Sequence, residues 1–188
     1  MNRSVLLCLV FLAVGTATAQ NLINTIPLSG EWDFKLDPKN DGLTEQWQSA
    51  RFTETINLPG STNEHAMGTP APDRQISFLS QHYEYVGPVW YERTVTIPEE
   101  WAGKHITLFL ERCHWESQVR VDQQHMGMQD SLCVPHIYDL SAMLTPGEHR
   151  LTLRIDNTVK YKVGMNAHSI TEHTQTNWNG VIGRMELR

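Results

Sequence analysis

The side chains best suited to holding a polar ligand crowd into residues 168–179, where His168, Glu172, His173, Asn177 and Trp178 stand close together. Sugars are bound by planar hydrogen-bonding groups and by an aromatic face that stacks against ring C–H bonds. This segment supplies both kinds of group. Glu172, His173, Asn177 and Trp178 are therefore the candidate rim of a binding site, loops being the usual carriers of such residues. The plainer alternative, a solvated loop whose Trp178 packs into the core beneath it, stays open.

A second constellation invites a metal reading. Cys113-His114 and Cys133-x-x-His136 contain the ligand types of a zinc site. Zinc motifs place paired ligands at short loop spacings, whereas neighbours on a strand point to opposite faces. Core cysteines and surface histidines are the expected outcome, with no metal and no cofactor. Cys113 and Cys133 could also pair in an oxidising compartment, or stay apart as two thiols.

The chain that must position these groups has 188 residues, and its first 19 read as a cleavable leader. Arg3 gives a positive start, an apolar run spans residues 5–14, and Ala17-Thr18-Ala19 is a small-residue cleavage site. The run is too short to span a membrane. Cys8 sits inside it, not at its end, so a lipoprotein signal is rejected. An exported protein, periplasmic or extracellular, is expected. The mature part, residues 20–188, is long enough for one domain with a sizeable core. Without Arg3 it carries 14 basic and 21 acidic side chains, a net charge of −7. Nucleic acid, which wants the opposite sign, is a poor partner.

The strongest local pattern is at residues 85–98. Val89, Tyr91, Val95 and Ile97 alternate with Glu92, Thr94 and Thr96, the period of a strand with one buried face. Gly87-Pro88 and Pro98 bound it. The pattern recurs with Trp32, Phe34 and Leu36, expected as an edge strand, and at 53–58, 104–111, 116–122, 134–140 and 180–188. At 149–157, Leu151, Leu153 and Ile155 face inward and Thr152, Arg154 and Asp156 outward. Eight or nine short strands with turns between them predict an all-β, jelly-roll β-sandwich. Its expected core is Trp90, Val95, Ile106, Leu108, Val119, Val121, Leu151, Leu153 and Ile155. Two long polar stretches, 61–83 and 158–179, break the pattern. Loops of that length are usually functional or disordered, and both are expected at one end of the sandwich.

Several pieces in order resemble the N-terminal, galactose-binding-like domain of family-2 glycoside hydrolases, the group of β-galactosidases, β-glucuronidases and β-mannosidases. They are Leu28-x-Gly30-x-Trp32-x-Phe34 with Asp37, Leu58-Pro59-Gly60, Tyr85-x-Gly87-x-x-Trp90-Tyr91 and Trp101-x-Gly103-Lys104. Val119-x-Val121 with Gly127, Asp139-Leu140-Ser141 with Leu144 and Gly147, and Asn179-Gly180-Val181 with Met185-x-Leu187 follow. The family usually turns with Asn-Gly after the Val-x-Val strand, where Asp122-Gln123 stands here. The resemblance implies a sugar-binding jelly roll, followed in such enzymes by immunoglobulin-like and barrel domains. The barrel carries two catalytic glutamates, and the loop before the last Gly-Val strand helps shape the pocket rim. A barrel needs ~250 residues, so this chain holds none. Asn63-Glu64, its only Asn-Glu dipeptide, lies in an irregular loop and lacks the second carboxylate that retaining hydrolysis requires. The expected function is a non-catalytic accessory module of an exported β-glycosidase, met here as a fragment. The alternatives are a free-standing, lectin-like carbohydrate-binding protein and a purely structural or interaction module.

Overall fold

The computed structural model describes residues 24–71 and 79–188; the expected leader at 1–19 lies outside them. The strands in chain order are β1 (Ile26–Pro27), β2 (Gly30–Leu36), β3 (Glu54–Leu58), β4 (Gly60–Ser61), β5 (Thr69–Pro70), β6 (Tyr83–Glu84) and β7 (Pro88–Ile97). They continue with β8 (Thr107–His114), β9 (Glu116–Val121), β10 (Gln124–Asp130), β11 (His136–Asp139), β12 (Gly147–Asp156) and β13 (Gly180–Leu187). One sheet runs β10-β9-β12-β7-β2-β3 and the other β1-β13-β8-β11, with β4 also on β13. A small β5-β6 ribbon sits apart. Every pairing is antiparallel. The fold is a jelly-roll β-sandwich, as the alternating pattern predicts.

The core lies between the two sheets, because alternate residues of each strand point inward. Val89, Tyr91, Val95 and Ile97 of β7 meet Leu151, Leu153 and Ile155 of β12 and Val119 and Val121 of β9. Ile106, Leu108, Leu110, Val181, Met185 and Leu187 close it from the other sheet. The register places Leu153 opposite both Tyr91 and Val119, at the centre of the larger sheet.

Three expectations need correcting. The Trp32–Phe34 strand is not an edge: β2 lies between β7 and β3, and β3 takes the edge. Trp90 is fully buried, but on the outer face, where it packs with Trp47 and Phe52. The outward residues Glu92, Thr152, Arg154 and Asp156 are buried as well, at 1–3% exposure. One cause serves the last two. Residues 37–52 fold back over the outer face of the larger sheet. Asp37 pins this cover, its carboxylate accepting from Asp41 N, Gly42 N and the Trp90 indole at 2.8, 3.0 and 3.1 Å.

The charges beneath and beside the cover are paired, as buried charge must be. Glu92 meets Arg51 and Arg150, while Arg154 bridges Glu116 and Asp156, which both also meet Lys160. Burial alone would raise the Asp156 carboxyl, yet hydrogen bonds from Thr158 and the charges of Lys160 and Arg154 hold it below its ordinary value.

The β9–β10 hairpin keeps a tight turn without Asn-Gly. Asp122 and Gln123 both take positive φ, 48° and 74°, the backbone of a type I′ turn. The strain is offset by the Asp122 carboxylate, which accepts from Arg150 N at 2.8 Å and contacts His149 Nδ1 at 2.6 Å.

Leu108 and Leu153 are both fully buried. Truncating either to Ala should cost about 2–5 kcal/mol through the cavity left behind. Urea unfolding of Leu153→Ala measures it; a loss below about 0.5 kcal/mol, the scale of a surface change, would contradict the register.

Candidate functional site

The described parts of the two long loops meet at one end of the sandwich, and buried asparagines anchor the second loop there. Asn157 closes β12 and Asn179 precedes β13, so they mark the two ends of the 158–179 loop. Both are fully buried. Asn179 Nδ2 donates to Gly87 O at 2.8 Å and to Asn157 Oδ1 at 3.2 Å. Asn157 Nδ2 donates to Tyr85 O and Asn177 O, and its Oδ1 accepts from Gly87 N at 2.9 Å. Tyr85 then donates its hydroxyl to Pro88 O at 2.6 Å, fixing the turn before β7. Gly180 is required at the exit. Its φ is +147°, and a Cβ there would stand 2.2 Å from Gly60 O.

The other loop joins by its backbone and by Asn63. Thr62 N donates to Asn179 O at 2.9 Å and Leu79 N to Glu172 O at 3.2 Å. Asn63 Oδ1 accepts from His82 N and Tyr83 N, while Glu64 accepts from Ser61 N and Oγ. The Asn63-Glu64 dipeptide is thus engaged in holding its own loop. With its amide nitrogen towards Tyr83 O, Gln81 accepts from Trp178 N at 3.2 Å and from Thr176 Oγ1 at 2.9 Å.

Between these segments lies a cleft of about 300 Å³. Gln81, Glu84, Tyr85 and Val86 form one wall, and Ile170, Thr171, Glu172, Thr176 and Asn177 the other. Of the sequence candidates, Glu172 and Asn177 line it. His173 is exposed outside the lining, and Trp178 turns away, its ring 4.8 Å from that of the buried His114. Trp115 stacks on His114 from another side, at 6.1 Å and 14°. Glu84 and Gln81 escaped the sequence reading because β6 is only two residues long; the Tyr-Glu-Tyr run before Gly87 was the available signal.

The cysteine–histidine constellation is dispersed. Cys113 is a core thiol whose pKa is pushed up by burial, and Cys133 is an exposed free thiol. Against expectation, Cys133 is thus not in the core and neither histidine is on the surface: His114 is buried, and so is His136. Its Nδ1 is 2.6 Å from Ser117 Oγ, which also sits 2.6 Å from Tyr138 Oη. This Ser–His contact satisfies polar groups inside the sandwich, with His136 Nε2 spent on Ser131 O. Among the described residues no group of three or more His, Cys, Asp or Glu is arranged to hold a metal.

Comparison with known proteins gives the family. Residues 26–187 match the model of the glycosyl hydrolase family 2 sugar binding domain. The chain belongs to that family. This family 2 domain is 30% identical over 141 residues to a β-glucuronidase of Paenibacillus borealis, covering 72% of this chain and 21% of that protein. It is 29% identical over 144 residues to the dog β-glucuronidase, covering 70% and 21%. The domain thus spans about a fifth of the length of these curated relatives. Its fold matches that of an uncultured Clostridium β-glucuronidase with a TM-score of 0.67 at 21% identity, over 87% of this chain and 28% of that one. The Ruminococcus gnavus β-glucuronidase gives 0.66 at 19%, over the same 87% and 28%.

Two outcomes are expected of the family 2 domain at this end. Replacing Asn179 by Ala leaves Gly87 O and Asn157 Oδ1 short of a donor, so stability should fall by about 1–3 kcal/mol in urea unfolding. A change within about 0.5 kcal/mol would show that the loop is held otherwise. The second concerns His114, whose pKa is lowered from 6.5 to about 4, chiefly by burial, with a smaller push from His168. Nε2 faces Ser169 O at 3.0 Å and so carries the proton of a neutral ring. The unfolded chain binds a proton between these pKa values that the folded one refuses. Stability from this group is therefore full above the unfolded pKa and falls with pH, by about 1.4 kcal/mol per unit through that window. An NMR titration of the His114 ring checks it; a midpoint at the unperturbed value would refute it.

Proposed function

We propose that this chain is the non-catalytic N-terminal module of an exported β-glycosidase, a hydrolase of O-glycosidic bonds. In this reading it packs on immunoglobulin-like and barrel domains and lends its 158–179 loop to the rim of the substrate pocket. The observation that carries it is the match to the family's sugar binding domain over 26–187 in a chain spanning about a fifth of its relatives. Retaining hydrolysis needs two carboxylates set about 5–5.5 Å apart across the scissile bond, and here those belong to the barrel. The leader at 1–19 is the basis for export.

The surface of the same loop supports the packing role. Val159, Tyr161, Val163 and Met165 alternate along it and are all exposed, at 44, 52, 53 and 73%. Several exposed apolar side chains on one loop suit a surface that another domain covers. Glu172 and Asn177 line an open cleft, as a rim contributed to a larger pocket would.

The genomic sequence beyond codon 188 tests the reading: it should continue, in frame or after one frameshift, into immunoglobulin-like and barrel sequence. The purified chain should not turn over p-nitrophenyl β-glycosides. Calorimetry against galactose, glucuronate and mannose should give Kd ~1 mM or weaker, no more than about 4 kcal/mol of binding. Micromolar affinity abolished by Glu172→Ala with Asn177→Ala, which line the cleft where Trp178 does not, would instead make it a free-standing lectin.

A further inference from the structure

The cleft carries a charge pattern that bears on which sugars it accepts. Its charged lining side chains, among the described residues, are two carboxylates, Glu84 and Glu172. Among the described residues, no lysine or arginine joins them in that lining. Glu84 is exposed and Glu172 half-buried, so both present an anion to whatever enters.

Donors in the walls are largely spent within the protein. The Tyr85 hydroxyl donates to Pro88 O at 2.6 Å and Thr171 Oγ1 to Met165 O at 3.2 Å. Thr176 Oγ1 serves Gln81 at 2.9 Å. Acceptors are in surplus, since each carboxylate offers about four lone-pair sites. Sugar hydroxyls, which donate, match that surplus, and Val86, Ile170 and the Tyr85 ring give ring C–H bonds an apolar surface. A carboxylate on the ligand does not fit. It only accepts, and it sets like charge beside like charge where recognition of a carboxylate calls for a basic fork.

We propose that the cleft between residues 81–86 and 170–177 takes an uncharged glycoside and rejects a uronide. This rests on the reading of the cleft as part of a sugar site. It separates this chain from the relatives named for glucuronides, because the discrimination is made by its own Glu84 and Glu172.

The test is a titration of the ¹⁵N-labelled chain, at neutral pH and low salt, with methyl β-D-glucoside and with methyl β-D-glucuronide. The glucoside should shift the side-chain amide signals of Gln81 and Asn177, with the glucuronide roughly tenfold weaker. Raising the salt should narrow the gap, since the repulsion is screened. Glu84→Gln with Glu172→Gln should close it by strengthening the glucuronide without weakening the glucoside. Equal or tighter binding of the glucuronide, or a gap indifferent to the double substitution, would overturn the charge selection while keeping the sugar site. If neither glycoside shifts those signals, the cleft is not a saccharide site. The accessory-module reading would survive that result, because it stands on the continuation of the reading frame.

Discussion

Two buried asparagine side chains hold this end of the molecule together. Asn157 and Asn179 close the 158–179 loop at its base by bonding to each other, and both also bond to Gly87. A loop of this length would otherwise cost ordering entropy with no regular element to offset it. Cross-linking its ends reduces it to a closed excursion from neighbouring strands. Gly87 is also the turn that leads into β7, the strand between β12 and β2 at the middle of the larger sheet. The cleft therefore inherits its geometry from the centre of the fold and not from a mobile edge. An amide suits the task because it donates and accepts at once, so each Asn can satisfy a backbone group and its partner.

The outer face of the larger sheet explains how that centre is kept rigid. A sandwich strand ordinarily spends one face on the core and offers the other to water. Here β7 and β12 are covered on both faces, by the opposite sheet and by residues 37–52. Glu92, Arg150, Arg154, Glu116 and Asp156 give the second interface charge in place of oil. Such a network is a weak source of net stability, because desolvation offsets most of the attraction. Its effect is on register. Arg154 fits between Glu116 and Asp156 only when β9 and β12 are paired as they are, and removing one partner leaves a buried charge alone.

These features mark what could be read from the chain and what could not. The period of two at Val89, Tyr91, Val95 and Ile97 and at Leu151, Leu153 and Ile155 announced the strands and their inner faces, because burial on one side writes itself into alternation. Arg154 and Asp156 looked like solvated positions by the same rule. Nothing in their spacing reveals that a segment more than a hundred residues earlier covers them, although Trp47 and Phe52 in an otherwise polar loop were a trace of it. The site was legible by halves. Glu172 and Asn177 stood out in a dense polar run, whereas Glu84 joins them only through a turn fixed by long-range asparagine bonds. Trp178 drew attention as an aromatic face, yet that face is given to His114.

The cleft lies between two segments outside the main sheets, 81–86 and 170–177. Inside the sandwich every strand faces oil, with Ser117, His136 and Tyr138 pairing among themselves. Outside the larger sheet the charges answer one another. Where two irregular segments meet, backbone that belongs to no ladder brings its side chains to the surface in no fixed alternation. Glu84 and Glu172 come from segments far apart in sequence, yet both walls hang on the Gly87 turn through Tyr85, Asn157 and Asn177 O. A shared anchor lets a site made of loops keep a defined spacing between two carboxylates. Those two carboxylates, the charged lining residues among those described, make the field in the cleft negative. In this molecule the step from fold to ligand chemistry therefore runs through the asparagine clamp.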